Sequence, residues 1–188
     1  MKPFEYLLVL AAVILGLAIA DLATSMHRLI GAGKRVRWDW LAPLAGVLSL
    51  VAIVVQWWNW YGADSLINGL TFAMYLLVVT NAVLQFLMAA CALPDESTEV
   101  VIDLRAHFRK ISSRFWGLFT VHWIIVQLIN IWTETTILHA KLNLLSPLWL
   151  IVPTGISLVI IKNRTWQLIG LLGFVGLYLF VYSNRTLV

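Results

Sequence analysis

Apolar residues come in long runs along this chain, and the polar positions that interrupt them are spaced rather than scattered. Stepping about 100° per residue from Ser112 to Thr136, as a helix does, Thr120, His122, Gln127, Asn130, Thr133 and Glu134 fall in one half of the projection. Leu118, Val121, Ile124, Ile125, Leu128, Ile129, Ile131 and Trp132 fill the other half. A helix in water turns its polar side outward, whereas one in lipid turns it toward neighbouring helices or a wet cavity. A second stripe of this kind lies between Leu66 and Leu93, with Thr71, Met74, Tyr75, Asn81 and Gln85 on one side and Thr80 alone opposite. The two stripes are natural mates. Amide side chains also serve as glue between helices, worth about 1 kcal/mol each or less, so Asn81 and Gln85 are open to both readings.

A run of about 20 apolar residues crosses the ~30 Å of membrane hydrocarbon. By that rule the chain is all-α and polytopic, a single membrane domain over 1–188. Its six transmembrane helices are expected at about 4–23, 40–60, 66–93, 115–136, 144–161 and 165–182. Between the third and fourth, Asp95, Glu96, Ser97 and Thr98 make a good helix start. Val101, Leu104, Phe108, Ile111 and Phe115 then recur at spacings of three and four. This predicts an amphipathic helix over about 98–114, lying on the inner membrane surface. Arg105, Arg109, Lys110 and Arg114 gather in its later turns, where cations suit the helix dipole.

Small residues suggest how the spans pack. Ala12, Gly16, Ala20 and Ala23 form a ladder on the first span, and Gly170, Gly173 and Gly176 do so on the last, each suited to close backbone approach. Gly31-Ala32-Gly33 breaks the first helix, and Pro153-Thr154-Gly155 is expected to interrupt the fifth. Pro43 with Gly46 and Pro153 with Gly155 fall in the middle helices of two triplets, the arrangement of an inverted repeat, although the two halves share no clear sequence similarity.

Composition agrees with the pattern. Hydrophobic residues make up 61% and charged ones 12%, with a mean hydropathy of +0.89; a soluble domain carries about 25% charged residues. The loops after the first, third and fifth spans hold four, four and two Lys or Arg, ten in all, against Lys2, Lys141 and Arg185 on the other side. Positive charge stays in the cytoplasm, so both termini are expected outside it. The N-terminus imitates a secretory signal, with Lys2, an apolar run and Ala18-Ile19-Ala20 before Asp21. Arg28, Lys34, Arg35 and Arg37 follow the run, so it reads as an uncleaved span. Nine of the ten tryptophans fall near expected span ends, Trp123 being the exception. The Gln56-Trp57-Trp58-Asn59-Trp60-Tyr61 end of the second span reads as an aromatic headgroup anchor, with an aromatic ligand cage as the alternative. The pI near 9.5 reflects the loops, so nucleic acid is not an expected partner. Cys91 is the only cysteine, which excludes a disulfide framework and a cysteine-based metal cluster.

Phe4-Glu5-Tyr6, Ile14-Leu15-Gly16-Leu17, the basic loop, Gln56-Trp57-Trp58 and Asp103-Leu104-Arg105 carry a resemblance that covers most of the chain. On these short motifs the chain resembles a family of small, uncharacterised bacterial multi-pass inner-membrane proteins. The resemblance implies a bacterial inner membrane and brings no activity with it. The family often has a histidine where this chain has Asp21, which puts a role at that position in doubt; an interfacial carboxylate is the plainer reading.

Several chemistries are excluded by position. All five lysines lie at span ends or in loops, so no retinal Schiff base is expected, and only His122 lies within a span, which rules out a bis-histidine haem. No phosphate-binding loop, His-Glu-x-x-His motif or Gly-x-Ser-x-Gly elbow occurs. Asp103 and His107 stand at i,i+4; a metal pair is conceivable, an ordinary exposed pair the default. No cofactor or metal is implied. An ionisable group at membrane depth is a functional hypothesis in its own right, and histidine changes charge near neutral pH. The leading expectation is a small transporter or channel for protons, a cation or a small polar solute. His122, Gln127, Asn130 and Glu134 would line its path, facing Asn81, Gln85, Tyr75 and Glu5. Two alternatives stand beside it: a membrane-embedded enzyme or redox subunit acting on a lipid or quinone, and a non-catalytic sensor or assembly partner. His122 as a neutral histidine bonded to a neighbouring helix is the plain structural reading. The expected partner is the lipid bilayer, with a second copy or another membrane protein left open.

Overall fold

The computed structural model describes residues 3–61, 71–95, 101–137 and 147–183. Its helices are α1 (Pro3–Ala32), α2 (Leu41–Tyr61), α3 (Phe72–Ala92), α4 (Leu104–Trp132), α5 (Ile151–Ile160) and α6 (Arg164–Tyr182). Five of them are long and apolar enough to cross a membrane; α5 is shorter. Two short strands, β1 (Val36–Arg37) and β2 (Ile102–Asp103), pair in parallel. In the bundle α3 lies between α1 and α4, α5 packs on α4, and α2 packs against α6 and α3. His139 and Lys141, expected in an outer loop, lie outside the described residues, as do Asn184, Arg185 and Thr186.

The first helix ends where glycine was expected to end it, Gly33 taking a φ of 53° that side chains with a Cβ disfavour. Its packed face corrects the sequence reading. Leu7, Ala11, Leu15, Ala18, Leu22, Ser25 and Leu29 are buried, whereas Gly16, Ala20 and Ala23 of the small-residue ladder are exposed. The contact with α3 is therefore made by alternating leucine and alanine, which bury more apolar surface than a glycine track. On α6 only Gly170 packs closely, against Leu158, and nothing lies within 4 Å of where a Cβ would sit on Gly173 or Gly176.

A larger correction concerns 98–114. Among the described residues no separate surface helix precedes the fourth span: Asp103 caps α4 by accepting from the Ala106 amide at 2.9 Å, and the helix runs unbroken to Trp132. The periodicity over Leu104, Phe108, Ile111 and Phe115 is real, but these side chains are buried in the protein rather than laid on lipid. Nothing between Lys110 and Phe115 breaks a helix, and the apolar face continues in register across that junction. A helix of 29 residues is about 43 Å long, more than ~30 Å of hydrocarbon requires, which leaves length for its basic first turns beyond the hydrocarbon while their apolar face stays packed in the bundle. Trp116 moves from an expected span end into the core, where it is fully buried among Phe115, Phe119 and Phe174.

Pro153 does not interrupt α5 either. It sits in the first turn, where a missing amide costs no helical hydrogen bond, and Pro43 occupies the same position in α2. With neither helix broken, and with α1 packed along α3 while α4 packs along α5, an inverted repeat finds no support in the bundle.

The three basic loops meet at one end. The β1–β2 pair joins the first to the third, and Asp39 joins the first to the fifth through a 2.7 Å ion pair with Arg164. Asp39 also caps α2, accepting from the Leu41 amide at 3.1 Å, and is nearly buried while the Arg164 side chain is 51% exposed. Asp39→Ala removes a cap worth about 1 kcal/mol together with the pair, whereas Asp39→Asn removes the ion pair, worth up to about 1 kcal/mol, and keeps an oxygen for the cap. Melting temperatures in mild detergent should therefore fall further for Asp39→Ala than for Asp39→Asn; the reverse order would refute the capping role.

Candidate functional site

The polar stripe of α4 turns inward as expected in its middle, where Thr120, His122 and Gln127 are buried while Val121, Ile124 and Leu128 face out. Thr120 satisfies itself locally, donating to the Trp116 carbonyl at 2.7 Å. His122 reaches across to α3. Asn81 donates from its amide nitrogen to Gln56 Oε1 of α2 at 3.2 Å, which leaves its oxygen toward the imidazole. The ring therefore donates from Nδ1 to Asn81 Oδ1, at 2.7 Å. This bond fixes the tautomer and leaves Nε2 with its lone pair free, without a hydrogen bond among the described residues. Gln56, Asn81 and His122 thus form one line across three helices, and the last two are fully or almost fully buried.

One turn along α3, Gln85 is also buried and donates from Nε2 to the Ala52 carbonyl at 3.2 Å. Its Oε1 has no donor among the described residues, and a buried acceptor without a partner calls for an explanation. Toward the far end of α4, Asn130 is exposed and donates to Gln127 Oε1 at 3.4 Å. Glu134 lies half-buried in a π-helical turn, Thr133–Ile137, that continues α4. Neither the Glu134 side chain nor that of the half-buried Tyr75 has a hydrogen bond or ion pair among the described residues, and the Glu5 side chain lies outside them. The expected path is thus brought together at His122 and Asn81 and again at Gln127 and Asn130. No hydrogen bond among the described residues joins the two pairs.

No family model, curated protein or solved structure matches the chain.

Two polar positions were missed by reading the stripes alone. In sequence Gln56 stands out only as part of the aromatic end of its span. Gln167, on α6, is 2% exposed and holds three elements at once. Its Nε2 donates to the Leu158 and Ile161 carbonyls at the end of α5, each at 2.8 Å, while its Oε1 accepts from the Trp116 indole N–H. The signal was present: an amide inside an apolar run has to find a partner. Elsewhere, His107 does not pair with Asp103; its Nε2 meets the Cys91 carbonyl at 3.3 Å, tying α4 to the end of α3. Among the described residues no three His, Cys, Asp or Glu side chains gather as a metal site.

Proposed function

We propose that this chain is a small membrane transporter or channel for protons, a cation or a small polar solute, with His122 at the centre of its path. The observation that carries the reading is the hydrogen-bonded line Gln56–Asn81–His122. It orients an ionisable ring across the bundle and leaves one ring nitrogen able to accept a proton or a donor from a passing solute. Gln85 Oε1 supplies a second unused acceptor on the Asn81 face of α3. The π-helical turn holding Glu134 supports the same reading, because such turns recur at functional sites.

Flux into liposomes, recorded with a proton-sensitive dye and with labelled cations, tests it. His122→Ala and Glu134→Gln are expected to reduce flux to background while both variants remain folded and monodisperse. Asn81→Ala should reduce flux less, since it frees the ring without removing it. Wild-type flux in both of the first two variants would sink the assignment. A visible absorption band with matching extra mass in the purified protein would also overturn it, and would make His122 a cofactor ligand.

A further inference from the structure

At the end where the basic loops meet, a cavity of about 310 Å³ opens between the starts of α2, α4 and α6. Its floor is buried and comes from Phe108 and Ser112 of α4 and Gln167 of α6. Its rim carries Arg105, Arg109, Lys162 and Arg164. Of these four, only Arg164 has an ion-pair partner among the described residues, Asp39. Asp103 also lines the cavity, but its carboxylate is engaged in capping α4. Among the described residues four cations thus face two carboxylates, Asp39 and Asp103, both already committed to helix caps. Lys110 and Arg114, on the same helix, do not line the cavity. Helix N-termini add positive potential of their own, and three of them end here.

We infer that this cavity binds a phosphate-type anion, either the headgroup of an acidic phospholipid or free phosphate. The basic rim alone follows from the positive-inside rule; a recessed pocket with an apolar and amide floor does not. The cavity's volume falls at the small end of ligand sites, and basic pockets between membrane helices at the inner boundary take acidic headgroups. The inference stands apart from the transport reading, since none of the cavity residues belongs to the His122 line.

The test uses the full chain, delipidated in mild detergent. Native mass spectrometry reads retention of phosphatidylglycerol against phosphatidylcholine, and thermal unfolding reads protection by inorganic phosphate against chloride at equal ionic strength. Phosphatidylglycerol retained at least about tenfold better than phosphatidylcholine supports a headgroup site. Protection by phosphate without lipid preference supports a free-anion site. In either case Arg105→Gln with Arg109→Gln should abolish the effect, and Lys34→Gln with Arg35→Gln, outside the cavity at the same end, should preserve it. Lys162→Gln, reached from a different loop, repeats the test should the double variant not fold. No preference in either assay, or equal loss in the cavity and control pairs, overturns the inference.

Discussion

Gln167→Glu is expected to lower the melting temperature of the bundle sharply, although it exchanges one nitrogen for an oxygen. The amide now donates to the last carbonyls of α5 at Leu158 and Ile161 and accepts from the Trp116 indole. A carboxylate retains the indole contact but turns an acceptor toward two carbonyl oxygens at the buried floor of the basic cavity, where the rim cations offset part of its charge. A buried charge that has lost its partners costs up to about 3–5 kcal/mol, whereas Gln167→Met, which leaves the same carbonyls and indole without partners, should cost about 1–3 kcal/mol. Unfolding in increasing detergent denaturant, followed by tryptophan fluorescence, should rank wild type above methionine above glutamate. Equal stability of the glutamate variant and the wild type would mean that this clamp carries no weight.

The second large effect is expected at Gly155. A methyl group there would collide with Thr120 Oγ1, which is itself held by its bond to the Trp116 carbonyl. Overpacking of this kind costs about 1–3 kcal/mol. Gly155→Ala should therefore destabilise the contact between α5 and α4, and Thr120→Ala in the same molecule should restore most of the loss. A coupling of about 0.5–3 kcal/mol between the two substitutions is the expected signature of direct contact. Gly173→Ala is the matched control, because nothing lies within 4 Å of the added group. It should be neutral or stabilising by up to about 1 kcal/mol, the difference in helix propensity. If Gly155→Ala behaves like Gly173→Ala, the packing described here is wrong.

These positions show where the sequence was sufficient and where it was not. Burial of His122, Gln127, Asn81 and Gln85 was legible because lipid leaves a polar side chain only the interior to turn to. Which of them would meet was not, since bonding across helices depends on the rotation and height of each helix, and no local pattern records that. The same gap explains the first helix: alanine and glycine at Ala12, Gly16 and Ala20 mark a surface that can pack, not the one that does. The expected break before Phe115 failed for a different reason. Basic residues on a helix suggest a surface segment, but charge says where an end lies relative to the membrane and nothing about whether the backbone continues. The Asp103 cap, one residue before Leu104, was the local signal that placed the true start.

The stitching of the loops has a mechanical consequence. Strand pairing, the Asp39–Arg164 pair, the His107 bond to the end of α3 and the Gln167 clamp all lie toward one end of the bundle. Among the described residues the opposite end is tied across helices by Asn59 and Tyr182. Fastened in this way, the starts of α2, α4 and α6 are held to one another through their loops, so a load placed on one basic loop is shared by the other two.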